Sequence, residues 1–261
     1  MCFAGSPPTL ILLGMSSPYD LIADIYDDCW GHFMLNCYAS TLDQFLVKYF
    51  ATKYQILDLC CGTGTFTEFL VQKGYTVSCV DESERMLEAA ERKLPSGSFY
   101  HLPWSRLSES GLVVDGVFCL HDSLNHIHPQ LISDALVSVR ETLSSGGIFV
   151  FDINTIQGFK ERWRGEFTRS FESCVCYCRP DCLFDDRGEL LAATMSVELV
   201  PDVSLPMGRS VHFDIVEYDV EKSVLDAISS SGFEVVEIVD SRDVCVAFME
   251  VGRRFYVLKA I

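Results

Sequence analysis

The sequence predicts an α/β fold in which helices cover both faces of a mostly parallel sheet. Residues 55–153 alternate between short apolar runs and segments of helical periodicity, the order typical of strand–helix–strand units. Residues 159–213 instead alternate apolar and polar side chains with a period of two, as antiparallel strands do. Ahead of the first strand, residues 19–50 carry apolar side chains at helical spacing. We therefore expect an N-terminal helical lid, a sheet core and an antiparallel β insertion.

The individual elements follow from the same patterns. Two lid helices are predicted over residues 19–30 and 38–50. Core strands are predicted at 55–59, 75–81, 98–101, 112–120 and 148–153, with helices around 68–71 and over 82–93 and 129–143. Insertion strands are predicted at 167–172, 174–178, 190–199 and 210–216, with turns at 185–188 and 206–208. A helix over 220–230 and strands over 232–239 and 253–260 complete the chain.

The changes in periodicity also divide the chain. Residues 1–18 are expected to form a flexible N-terminal extension, because their apolar run is short and Met15 resembles a natural start. Residues 19–158 and 214–261 are expected to form the core with its lid. The insertion, residues 159–213, would then cover the carboxyl edge of the sheet.

Composition disfavours several classes of partner. Of the 261 residues, 49% are hydrophobic and 22% are charged, which is typical of a soluble globular protein. The formal net charge of −17 repels phosphate backbones, so nucleic-acid substrates are disfavoured. The apolar run at 8–15 is too short to span a bilayer and follows no basic residue, so no membrane association or secretion is expected.

The twelve cysteines raise the question of redox compartment. Without a secretory signal we expect reduced thiols and a cytoplasmic location. Cys174, Cys176 and Cys178 alternate along a predicted strand, so their thiols share one face, with Cys182 following. Zinc sites more often use cysteine pairs separated by two residues, so we expect apolar packing and no metal.

The most informative motif is a glycine turn between the first core strand and its helix. Gly62 and Gly64 lack Cβ atoms where the chain must bend and where a ligand would approach main-chain N–H groups. Asp81 ends the next strand about twenty residues later, at the spacing where an acid receives ribose hydroxyls. These features predict a nucleoside site. A dinucleotide fingerprint would need a third small residue where this chain has Thr67, so a dehydrogenase is disfavoured.

The same residues resemble the first two motifs of class I S-adenosylmethionine-dependent methyltransferases. Asp58, Gly62 and Gly64 match the Asp-x-x-x-Gly-x-Gly turn of the first motif, and Asp81 matches the second. The resemblance runs over nearly the whole chain from Tyr19. It implies a Rossmann-like, seven-stranded, mostly parallel sheet with a closing hairpin, and S-adenosylmethionine as cofactor. A helix or turn cap is the alternative role for the two acids.

The resemblance implies further cofactor-binding residues around these motifs. Family members commonly place an acid beside the adenine, but residues 101–105 contain none. Either stacking on Trp104 replaces that contact or the adenine pocket is altered. The candidate cofactor-binding residues are Tyr26, Asp58, Cys60, Gly62, Gly64, Asp81, Glu82, Met86, Trp104 and Leu120.

Candidate catalytic residues lie in the loop after the fourth core strand, where the resemblance places residues near the transferred methyl group. The segment 122–126 resembles one found in small-molecule methyltransferases of this class. His121 and His126 are candidates for the base that takes the acceptor's proton, with a surface or capping role as the alternative. Tyr26 resembles the aromatic residue that folds a lid over cofactor and substrate, although it also fits an apolar helix face.

The sequence thus predicts a methyltransferase that acts on a nitrogen or oxygen of a small molecule by in-line displacement. Within its class the chain most resembles natural-product and amino-sugar N-methyltransferases. The expected partner is a small-molecule acceptor, without nucleic acid or membrane, and a homodimer is left open. The alternatives are a protein or RNA methyltransferase, which should show a basic docking face, and a protein that binds the cofactor without turnover.

Overall fold

The structure is a computed structural model that describes residues 17–51, 55–171, 174–201, 210–243 and 252–261. The predicted extension up to residue 16, the end of the strand predicted at 167–172 and the turn predicted at 206–208 lie outside these ranges. Within them, no helix combines the length and apolar character needed to cross a membrane.

Helices and strands alternate through the core, as the sequence predicts. The elements before the insertion are α1 (His32–Tyr49), β1 (Gln55–Leu59), α2 (Thr65–Gln72), β2 (Thr76–Asp81), α3 (Glu84–Lys93), β3 (Ser98–His101), β4 (Val114–Cys119), α4 (Ile132–Thr142), β5 (Leu143–Asn154) and α5 (Ile156–Arg162). The insertion strands are β6 (Phe167–Ser170), β7 (Cys174–Phe184), β8 (Leu190–Pro201) and β9 (Val211–Glu217). The last elements are α6 (Glu221–Ala227), β10 (Phe233–Asp240) and β11 (Arg253–Ala260).

Seven strands form the main sheet in the order β10-β11-β5-β4-β1-β2-β3. β11 runs antiparallel to β5 and β10, whereas β1–β5 pair in parallel. The predicted Rossmann-like sheet with a closing hairpin is therefore confirmed. Strand order reverses between β1 and β4, and ligands of such sheets bind outside the carboxyl ends of the strands at this point.

The insertion forms a separate four-stranded antiparallel sheet in the order β6-β7-β8-β9. Its buried face includes Cys176 and Cys178, whose sulfur atoms lie 3.6 Å apart. They pack in one apolar cluster with Ile22 and Ala23 of the N-terminal segment. The second sheet therefore rests against the lid.

The lid differs from the two predicted helices. A short 3-10 helix at Pro18–Leu21 and a π-helical turn at Asp27–Gly31 lead into α1, which begins at His32. The helix predicted over 19–30 was wrong because its polar side chains bond elsewhere. Asp20, for example, completes a capping box with Ser17 and accepts a hydrogen bond from the core.

Helix α5 was not predicted. It spans the boundary expected at residue 159, so the second sheet begins later, at β6. Its seven residues carry few apolar side chains, and they gave no clear helical period. The anchor of this helix is tertiary, since Phe159 is fully buried.

A glycine substitution tests the packing of the glycine turn. Gly64 has a φ of +76°, and a Cβ there would lie 3.0 Å from the Cβ of Ala90 on α3. Gly74 has a φ of +89° but nothing within 4 Å of such a Cβ. We expect Gly64→Ala to lower the unfolding free energy by about 2 kcal/mol and Gly74→Ala to lower it by about 1 kcal/mol. Urea titrations of the two variants measure both values. Equal losses would contradict the close approach of α3.

Candidate active site

A cavity of about 340 Å³ lies at the carboxyl ends of β1, β2 and β4. The lid forms one wall through residues 17–19 and Tyr26. β9 of the second sheet forms another through residues 214–216. A smaller cavity of about 40 Å³ adjoins the first, since both are lined by Tyr26, Gly62 and His121. The site thus lies between core, lid and insertion.

Asp81 fixes the glycine turn from the neighbouring strand. Its Oδ2 accepts a hydrogen bond from the Gly62 N–H at 2.8 Å, and its Oδ1 accepts one from the Ser83 N–H at 2.8 Å. Burial raises the pKa of Asp81, and these hydrogen bonds offset part of that rise. Each carboxylate oxygen retains a lone pair, so the group can still accept ribose hydroxyls.

The turn leaves room for a ligand. Gly62 has a φ of +54°, and a Cβ added there would meet no atom within 4 Å. Gly62 lines the larger cavity together with Met86 and Trp104. An open glycine turn, an acid and an apolar wall together fit a nucleoside with a polar tail, as S-adenosylmethionine has.

The lid is tied to the turn by a second acid. Asp27 accepts hydrogen bonds from the hydroxyls of Thr63 and Thr65, the latter at 2.8 Å, and pairs with Lys93 of α3. Burial alone would raise the pKa of Asp27, but the bonds from Lys93 and the two threonines lower it overall. The Asp27 carboxylate therefore holds its neighbour Tyr26 over the glycine turn.

Tyr19 and His126 form a pair inside the larger cavity. The Tyr19 hydroxyl lies 3.0 Å from His126 Nε2, and His126 Nδ1 lies 3.0 Å from the Val216 carbonyl oxygen. The carbonyl can only accept, so Nδ1 carries the proton and Nε2 accepts from the Tyr19 hydroxyl. Burial raises the pKa of Tyr19 well above its ordinary value, with added repulsion from Tyr26, so the phenol stays protonated.

His121 enters the site on a strained turn. His121 and Asp122 have φ values of +59° and +52°, which residues other than glycine rarely adopt. Each such residue costs on the order of 1 kcal/mol or more. Asp152 accepts the N–H of His121 at 2.7 Å and that of Asp122 at 3.0 Å. Burial lowers the pKa of His121, so its imidazole is neutral at about pH 7.

Comparison with known proteins identifies the domain. A family model described as "Methyltransferase domain" matches residues 56–147, the stretch that holds the glycine turn, Asp81 and the strained turn. This stretch of the chain is a methyltransferase domain. The predicted resemblance to S-adenosylmethionine-dependent methyltransferases is confirmed, and S-adenosylmethionine is the cofactor of this class.

The methyltransferase domain also has relatives of known sequence or structure. The chain is 29% identical to the putative methyltransferase YqeM of Bacillus subtilis over 141 residues, which are 52% of this chain and 56% of that protein. An S-adenosylmethionine-dependent methyltransferase from Clostridium acetobutylicum superposes with a TM-score of 0.74 at 23% identity, covering 94% of this chain and 99% of that one. The sugar N-methyltransferase KedS8 from Streptoalloteichus gives 0.70 at 20% identity, covering 98% and 99%. At these identities the solved structures show a shared fold, and this chain spans about half the length of the curated relatives it matches.

Most of the predicted site residues line one of the two cavities. Gly64 lies away from both and packs against Ala90, so its role here is in the turn itself. The larger cavity is lined by Tyr26, Cys60, Gly62, Asp81, Glu82, Met86, Trp104, His121 and His126. The smaller cavity is lined by Tyr26, Asp58, Cys60, Gly62, Leu120 and His121.

Three residues of the site were missed by sequence reasoning. Tyr19 was assigned to a lid helix, and its partner His126 lies 107 positions away. Asp152 lies near the end of β5, and Arg253 begins β11. Only the register of these two strands brings the two residues together. An acid at the carboxyl end of β5 was the one available signal.

Asp58 gives the methyltransferase domain a testable pH dependence. Burial raises its pKa to about 7, although the Thr67 hydroxyl donates a hydrogen bond to it at 2.5 Å. The native protein therefore holds this proton when the unfolded chain has released it, and stability falls as pH rises from about 4 to about 7. Over this pH range the unfolding free energy of the unmodified protein should fall by up to about 4 kcal/mol, and Asp58→Asn should abolish that fall. Urea unfolding without cofactor at several pH values measures both proteins. Parallel stability curves for the two proteins would contradict the shifted pKa.

Proposed function

We propose that the chain transfers a methyl group to a nitrogen or oxygen of a small-molecule acceptor by in-line displacement. The observation that carries this is the Tyr19–His126 pair in the wall of the larger cavity, beside the glycine turn. A proton-accepting pair is useful only where an acceptor must lose a proton. The likeness to a sugar N-methyltransferase fold supports the same class of acceptor.

The shape of the site favours a small acceptor over a macromolecule. The lid and β9 form two walls of the cavity, and its volume of about 340 Å³ suits a small ligand better than a polymer. Asp81, Glu82 and Asp214 line it, and no lysine or arginine does so among the described residues. An anionic chain would be repelled there.

S-adenosylmethionine supplies a methyl group on a positively charged sulfur, which makes the methyl carbon an electrophile. The protein's part is to exclude water, to align the acceptor and to take up its proton. Tyr19 can accept a hydrogen bond from the acceptor while its own proton is shared with His126 Nε2. The Val216 carbonyl stabilises the imidazolium that results, because His126 Nδ1 already donates to it.

An acceptor screen tests this proposal. The purified protein is incubated with S-adenosylmethionine and a panel of small amines, amino sugars and phenols, and S-adenosylhomocysteine formation is measured. We expect turnover with at least one member and none in the absence of acceptor. Turnover with RNA or with a protein instead would contradict the proposal. Cofactor binding without turnover on any acceptor would favour the non-catalytic alternative.

A further inference from the structure

The turn that presents His121 depends on a buried acid of the next strand. His121 and Asp122 adopt left-handed backbone conformations directly after β4. Neither is a glycine, so the surrounding structure must impose these conformations. Both backbone N–H groups of the turn donate to a single carboxylate, that of Asp152.

Asp152 is itself held by a buried arginine. Arg253 on β11 pairs with Asp152 through Nη1 and donates to Asp122 Oδ2 through Nη2 at 2.9 Å. The side chains of Arg253 and Asp152 are each only 2% exposed. One guanidinium therefore bridges the acid that shapes the turn and the acid within the turn, in a geometry that a planar fork allows and an ammonium does not.

The same network reaches the second sheet. Asn154 donates to Asp122 and, at 2.9 Å, to Oε2 of Glu217 at the end of β9. Arg162 of α5 donates to the Asn154 side-chain oxygen. The cluster joins the ends of β5 and β9 to the start of β11, and neither Asp152 nor Arg253 lines either of the two cavities described above.

We infer that Asp152 and Arg253 are positioning residues of the methyltransferase site, which hold the strained turn so that the His121 ring faces the transferred methyl group. The inference rests on the proposed function for its kinetic consequence, but not for its structural one. A ring displaced by about 1 Å costs on the order of 100-fold in rate. The charges of Asp152 and Arg253 also act on the His121 imidazole directly, so what distinguishes a positioning role is a displaced ring and not a loss of stability alone.

The test follows the His121 ring directly. The chain has six histidines, so selective ¹³C labelling at Cε1 gives few signals, and the His121→Gln spectrum assigns the relevant one. Spectra are recorded with and without S-adenosylhomocysteine for Asp152→Asn and Arg253→Lys. We expect the His121 signal to shift or broaden in both variants while the His128 signal stays in place.

Arg254→Gln is the matched control. Arg254 is the next residue on β11 and is also ion-paired, to Glu221 at 2.5 Å, but it lies outside the cluster. The control should leave His121 unchanged even if it lowers the unfolding temperature. With an acceptor in hand, we expect kcat to fall about 100-fold in Asp152→Asn and S-adenosylhomocysteine affinity to change less than about 5-fold.

The outcomes are distinct. An unmoved His121 signal in folded Asp152→Asn or Arg253→Lys would overturn the inference, and Arg253→Lys carries the test if the other variant does not fold. Equal perturbation in Arg254→Gln would also overturn it, because the effect would then follow general destabilisation. If the His121 signal shifts but neither the variants nor the unmodified protein transfer a methyl group, the proposed function fails and the inference about the turn stands.

Discussion

Replacing Asp81 with alanine is expected to abolish most of the affinity for S-adenosylhomocysteine. The carboxylate accepts the Gly62 N–H that shapes the turn, and its remaining lone pairs can accept two ribose hydroxyls. Hydrogen bonds to a charged group contribute about 1.5 kcal/mol each at the low end, so the loss of two weakens binding about 100-fold. Titration calorimetry on folded protein measures this directly.

Asp115→Ala provides the control for that experiment. Asp115 accepts a hydrogen bond from the Gln55 N–H at 3.1 Å, and it lies near the start of β4, at the edge of the sheet opposite the site. Its loss removes a carboxylate and a backbone hydrogen bond without touching the cavity. We expect unchanged affinity in Asp115→Ala. An Asp81→Ala variant that binds as tightly as the unmodified protein would remove Asp81 from the ribose contact.

Replacing His126 with alanine is expected to lower kcat by about 100-fold or more, the range typical of a lost general base. Binding of S-adenosylhomocysteine should change little, because His126 faces Tyr19 and β9. Tyr19→Phe should give a comparable loss, since it removes the hydroxyl through which the acceptor's proton reaches His126 but keeps the ring that packs at 6.1 Å from Tyr26. The readout is the kcat for an acceptor found in the screen.

His128 is the matched control in the same loop. It is exposed, caps the short helix that begins at Pro129 and lines neither cavity. We expect His128→Ala to retain the kcat of the unmodified protein. If His126→Ala and His128→Ala behave alike, the Tyr19–His126 pair has no part in proton transfer. A parallel His121→Ala variant should also lose more turnover than cofactor binding.

The features that the sequence predicts involve residues close together in the chain. The turn around Gly62 and the acid at position 81 could be recognised because strand, turn, helix and strand follow one another at fixed spacing. The sheet topology follows from the same alternation, together with the rule that such crossovers are right-handed.

The parts that sequence did not predict depend on contacts distant in the chain. Tyr19 meets His126 only because the lid folds back over β9 and the loop after β4, whereas the helical spacing of residues 19–30 predicted a regular helix where the structure has 3-10 and π turns. Asp152 and Arg253 are 101 positions apart and pair through an antiparallel register. Periodicity within a window reports which residues are buried but not which partner they meet.

Titration calorimetry of the unmodified protein with S-adenosylmethionine, S-adenosylhomocysteine and NAD tests the central claim most directly. The open turn at Gly62, the Asp81 carboxylate and the Trp104 wall predict micromolar binding of the first two ligands, one per chain, and none of NAD. Binding of NAD in preference to S-adenosylmethionine, or binding of none of the three, would contradict the account of this cavity as a methyl-donor site.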